Sequence, residues 1–154
     1  MVRLVDLSHP WGPDTPPFPG QDPATVHKTH EIGVAGNQTF MQRYEMSMHS
    51  GTHFDAQNHA ILGGDDLASI PLSTLFGEGI IVDVSDVVGE WDIIQPEHLL
   101  GKVEVRRGDI VIFHTGWHDY FVHGARPNLD TYLYHQPGGG IELDEWIVEM
   151  DLKW

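Results

Sequence analysis

Cysteine is absent from the 154 residues, so the chain has neither a disulfide framework nor a thiolate metal site, and redox compartment leaves no mark on it. Basic residues are scarce: 8 Lys+Arg against 23 Asp+Glu give a net charge of −15. A surface of that sign repels phosphate backbones and anionic lipid headgroups, which excludes nucleic acid and membrane surfaces as partners. No apolar run approaches the roughly 18 residues a transmembrane helix needs. Met1-Val2-Arg3-Leu4-Val5-Asp6-Leu7-Ser8-His9 also lacks the apolar stretch of a secretory signal, so the expected location is the cytoplasm. Internal repeats, low-complexity tracts and linkers are missing too. With 40% hydrophobic and 20% charged residues, the chain has the composition of a soluble globular protein, and its length fits one domain.

Histidine, by contrast, is abundant: 11 residues against 8 Lys+Arg. It is the commonest neutral nitrogen ligand for transition metals and the side chain that titrates near neutrality. The chain around these histidines reads as an α/β domain, with strands and short helices interspersed. Val2 to Leu7 is a β-branched and aliphatic run that predicts a strand, followed by an ordered loop with five prolines between positions 10 and 19. Alternation from Phe40 to His49 predicts a second strand ending at Ser50-Gly51. Leu67 to Gly77 predicts a helix, with Pro71 in its first turn and Gly77 as its cap. Ile80 to Val84 and Ile110 to Phe113 read as strands buried on both faces, with a short helix at Pro96–Gly101 between them. Leu143, Trp146, Ile147 and Met150 fall at i, i+3, i+4, i+7 behind Glu142, Asp144 and Glu145, which predicts an amphipathic helix with a favourable dipole. Asp151 to Trp154 then starts another strand.

The densest chemistry lies in His49-Ser50-Gly51-Thr52-His53-Phe54-Asp55-Ala56-Gln57-Asn58-His59, three imidazoles and a carboxylate within eleven residues. Zinc or manganese needs nitrogen and oxygen donors about 2.0–2.2 Å away that converge from one side. In an extended stretch His53 and Asp55 project to one face, and Gly51 lets the chain curl so that His49 returns toward them. His49, His53 and Asp55 thus form a candidate facial triad with room for solvent. A zinc-protease helix also spaces two histidines by four, but Ser50-Gly51-Thr52 is a poor helix interior without the glutamate such a site requires. The remaining alternative is a polar turn of surface histidines bonded to solvent and backbone.

His49-x-Gly51-Thr52-His53-x-Asp55-x-x-x-His59 resembles the signature of the metal-dependent cyclase family, which includes bacterial kynurenine formamidase and isatin hydrolase. Asp6-Leu7-Ser8-His9-Pro10 with Phe18-Pro19-Gly20, Ile70-Pro71-Leu72, Gly108-Asp109-Ile110-Val111 and Thr115-Gly116-Trp117 extend the resemblance along essentially the whole chain. The resemblance implies that His49, His53 and Asp55 hold one divalent ion, Zn2+ or Mn2+, and that His59 is the acid/base beside it. It further implies a mixed β-barrel-like sheet flanked by short helices, a single cyclase-like domain over residues 1–154, and homo-oligomers, dimers or tetramers. Members run longer, with a C-terminal part after the helix near Met150 that adds a His and a Glu, so a second metal position would be incomplete here. Gln57-Asn58 stands where many members have a proline, which alters the stiffness of that loop.

The implied chemistry is hydrolysis of a C–N or C–O bond in a small amide, formamide, cyclic amide or lactone by metal-activated water. His59 carries an imidazole, the side chain suited to proton transfer at neutral pH. His9, whose loop the resemblance places near the pocket, and Trp11 and Phe18, which can close over a substrate ring or staple their own loop, are the substrate-binding candidates. His114, His118 and His123, among Trp117, Tyr120 and Phe121, read as an amphipathic turn packed on the sheet. Gly63-Gly64-Asp65-Asp66 reads as a solvated loop. Two rival classes stay open: a metal-binding or structural subunit without turnover, which metal content measured beside hydrolysis separates, and an acidic interaction module whose assembly responds to pH.

Overall fold

A computed structural model describes residues 3–154. The chain divides into two compact units, Met1–Phe54 and Asp55–Trp154.

In the first unit, the strand expected over Val2–Leu7 does not form. Val2 lies outside the described residues, and from Arg3 to Leu7 the chain has no regular structure, with Leu4 93% exposed. A strand needs a ladder partner, and the Asp6 carboxylate instead accepts the Ser8 amide at 2.9 Å and turns the chain. The proline-rich loop is ordered, as its composition predicts: the Thr15 amide donates to the Gly12 carbonyl, and the buried Thr15 hydroxyl accepts the Gly12 amide. The unit's ladder joins β1 (Thr25–His30) to β2 (Met41–Glu45) in antiparallel register, with Val26 opposite Tyr44 and His27 opposite Arg43. The predicted second strand therefore stops at Glu45. Beyond it the Ser47 hydroxyl accepts the His49 amide and the Met48 carbonyl accepts the Ser50 amide, local bonds that compete with a ladder.

The second unit contains β3 (Gly79–Asp83), β4 (Ile93–Ile94), β5 (Ile110–His114), α1 (Leu129–Tyr134), β6 (Gly138–Gly139) and α2 (Ile141–Glu149). β3 pairs with β5 and β4 with β6, both in parallel. The described strands thus make an α/β arrangement of three two-stranded ladders, and no barrel-like sheet is assembled among the described residues. The strand expected from Asp151 does not form: Asp151 is in a turn and 152–154 have no regular structure, although the Lys153 amide donates to the Asp109 carbonyl and the Trp154 carbonyl accepts from Val111.

Val82, Val84, Val88, Ile94, Leu99, Val111 and Leu143 form the core, with Trp146 and Ile147 packed on it from the predicted face of α2. Phe121 is also buried and meets the Tyr132 ring at 5.3 Å. β3 and β5 are buried on one face only, since Ile81 and Ile112 remain 55% and 42% exposed. The helix expected over Leu67–Gly77 is two 3-10 turns, Leu67–Ser69 and Leu72–Leu75. Pro71 separates them because it lacks an amide hydrogen and forces Ile70 into an extended conformation. Among the described residues, no helix is long and apolar enough to cross a membrane.

Candidate metal and catalytic site

The histidine motif begins in a bend that the proline-rich loop holds in shape. Gly51 has φ of +67°, and a Cβ there would lie 3.1 Å from Trp11 Cδ1 and 3.3 Å from Thr15 Cγ2. Only glycine meets both conditions, the left-handed backbone and the close approach. Ser50, itself buried, accepts the Trp11 indole N–H at 3.2 Å and pairs with Pro17 in an isolated antiparallel bridge. The Thr52 hydroxyl accepts the His9 amide at 3.0 Å. His9 and Trp11, expected as substrate contacts, are therefore both bonded to the motif itself. Trp11 also meets the Tyr44 ring edge-on at 5.3 Å, and the Phe18 ring lies 6.4 Å from that of His49.

Beyond the bend, His49 Nδ1 and His53 Nε2 are 2.9 Å apart, and His53 Nδ1 is 2.8 Å from the Gly51 carbonyl. A carbonyl can only accept, so the proton of a neutral His53 ring sits on Nδ1 and its Nε2 carries the lone pair. This is the arrangement of a metal-ligating histidine, whose other ring nitrogen commonly donates to a backbone carbonyl. Two donors on one ion, with bonds of about 2.0–2.1 Å and angles between right and tetrahedral, stand roughly 2.9–3.4 Å apart, so the observed pair fits a shared cation. In the second unit, a donor atom of Asp55 and one of His59 lie within 4.8 Å of each other. A donor set of imidazoles and carboxylate suits a borderline divalent ion.

In the second unit Asp55 and His59 line a cavity of about 510 Å³, with Ile61, Ile70, Pro71 and Trp154 among its walls. His59 ends the short 3-10 turn Gln57–His59. Sequence reasoning missed these apolar walls, because nothing in the local pattern connects Trp154 to Ile70. Trp154 is fixed there by its indole N–H, which donates to the Thr74 carbonyl at 2.5 Å.

Of the histidines expected in an amphipathic turn, His118 lies in the 3-10 turn Trp117–Tyr120, whereas His114 ends β5, where the ladder with β3 holds it extended. His114 faces Asp83 across the parallel ladder at 3.2 Å. The Ser85 hydroxyl and amide, reinforced by His114, hold the Asp83 carboxyl at a pKa of about 2. The His118 ring stands 5.3 Å from that of His114, and His123 meets Phe121 edge-on.

Residues 5–154 match the family model described as "Putative cyclase". Curated relatives include the kynurenine formamidase of Erythrobacter litoralis, 35% identical over 97 residues that make up 63% of this chain and 44% of that protein. The kynurenine formamidase of Maricaulis maris is 35% identical over 101 residues, 64% of this chain and 46% of that protein. The chain thus spans about half the length of these relatives. Among solved structures, isatin hydrolase A from Labrenzia aggregata superimposes with a TM-score of 0.78 at 23% identity, covering 97% of this chain and 65% of that one, a likeness of fold.

Proposed function

Because the chain belongs to the cyclase family, we propose that it acts as a metal-dependent hydrolase on a C–N or C–O bond of a small amide, formamide, cyclic amide or lactone. The observation that carries this reading is the His49–His53 pair, two ring nitrogens at 2.9 Å with the outer nitrogen of His53 tied to the Gly51 carbonyl. His49, His53 and Asp55 would hold one Zn2+ or Mn2+. Bound there, the ion supplies Lewis acidity toward a water and toward the substrate carbonyl.

The protein's own groups do the rest. His59 accepts a proton from the attacking water at an imidazole nitrogen and returns it to the departing nitrogen or oxygen, a role worth typically 10²–10⁴ in rate. The walls of Ile61, Ile70, Pro71 and Trp154 receive the apolar body of a small substrate and shield the reacting carbonyl from bulk water. Phe18, beside His49, is positioned to cover a substrate ring.

Elemental analysis of the purified protein, together with a screen of formylkynurenine, isatin and simple lactones, tests the reading. Asp55→Ala is expected to lose the metal, and His59→Ala to keep it while losing most of the turnover. Metal retained at full stoichiometry in Asp55→Ala would remove the ligand assignment. Metal without turnover on any of these substrates would favour the non-catalytic subunit instead.

A further inference from the structure

The Gly63-Gly64-Asp65 segment closes onto the Gln57–His59 turn. The Asn58 amide donates to the Asp65 carbonyl at 3.1 Å, and the Asp65 amide donates to the Gln57 side-chain carbonyl at 3.4 Å. The Gly64 amide donates to Ile61, whose own amide donates back to the Gln57 carbonyl, so the loop from 57 to 65 is closed by bonds at both ends. The approach is closest at Gly64. A Cβ there would stand 2.9 Å from the Gln57 carbonyl carbon, 2.9 Å from Gln57 Cβ and 3.0 Å from the Asn58 nitrogen. Two of those three atoms are backbone, so no rotamer change relieves the clash and the turn itself would have to move.

We propose that Gly64 and Gln57 are positioning residues for His59: they clasp the turn that carries the imidazole and set its place relative to the reacting carbonyl. The proposal rests on the acid/base role given to His59 above. It also gives Gln57 a purpose at a site where stiffness matters. A side-chain carbonyl that accepts the Asp65 amide restrains the turn by a cross-loop bond instead of by a ring in the backbone. Displacing a proton-transfer group by about 1 Å costs on the order of 10² in rate, so the clasp acts on kcat more than on KM.

The test is a double-mutant cycle on the metal-loaded protein with the best hydrolysed substrate of the screen. Gly64→Ala is expected to lower kcat about 10- to 100-fold, with KM and metal stoichiometry nearly unchanged. In a His59→Ala background it should cost less than about twofold, because the group it positions is gone. Gln57→Leu, which keeps the volume and removes the acceptor, should lower kcat about tenfold, and Gln57→Glu, which keeps an acceptor oxygen, should recover most of it. An equal loss in both backgrounds, or no loss in either variant, overturns the clasp while leaving the acid/base reading intact. Full turnover in His59→Ala alone overturns that reading instead. A second measurement needs no turnover: the His59 imidazole resonances in metal-free protein should shift in Gly64→Ala and Gln57→Leu but hardly in Gln57→Glu, and unshifted resonances in all three overturn the proposal.

Discussion

From Arg3 to Phe54 the buried side chains are Thr15 and Ser50, both polar, whereas residues 55–154 bury Val82, Val84, Val88, Ile94, Leu99, Val111, Phe121, Pro137 and Leu143, with Thr131 the one polar side chain among them. The first unit takes its shape from directional bonds: indole to hydroxyl, amide to hydroxyl, imidazole to carbonyl. The second takes its stability from apolar area removed from water. The difference teaches where each kind of order is useful. Hydrogen bonds fix angles and suit a bend that carries candidate ligands, while burial is non-directional and suits a scaffold.

Three substitutions would break or sharpen this contrast. The largest expected effect is that of Phe121→Ala, which empties a fully buried ring site and should cost about 3–5 kcal/mol in chemical denaturation. A loss below about 1 kcal/mol would mean that the second unit does not depend on burial as described. Next comes Gly51→Ala, which forces a side chain into left-handed backbone against Trp11 and Thr15. It should cost about 1–3 kcal/mol and weaken metal binding about 10- to 100-fold in a zinc titration. Unchanged metal affinity would dissolve the link between the bend and the site. The smallest effect belongs to Asp83→Asn. The Asp83 carboxyl is held at about 2, below its ordinary 3.8, so its stabilisation is full above pH 4 and is lost as pH falls toward 2. The melting temperatures of wild type and variant should differ at pH 5 and converge near pH 2; a constant gap would assign the effect to packing alone.

The parts legible in the sequence are those where one local signal decides the outcome. α2 formed where Leu143, Trp146 and Ile147 share a helical face, and β3 and β5 formed where β-branched runs follow glycine. The histidine motif was legible because its residues lie close in the chain and carry ligand chemistry. What escaped depended on partners. The Val2–Leu7 run has strand propensity but no ladder among the described residues, and the β1 segment Thr25–His30, with two histidines, a lysine and Val26 as its one aliphatic residue, gave no apolar run to mark it as the partner of β2. Pro71 does start the turn Leu72–Leu75, but its effect on Ile70 also cuts that turn off from Leu67–Ser69, so the single expected helix becomes two. Likewise Gly63-Gly64 reads as an open loop until the Gln57 backbone is seen against it.

The acceptor that holds His53 Nδ1 belongs to the peptide unit after Gly51 and not to any side chain. Every amino acid at position 51 would offer the same oxygen. A saturation mutagenesis scan would therefore register Gly51 as a demand for shape and never detect the bond that dictates which face of the His53 ring is proton-bearing. Replacing that amide by an ester through chemical ligation, which weakens the carbonyl as an acceptor and leaves every side chain in place, would make the bond visible to experiment.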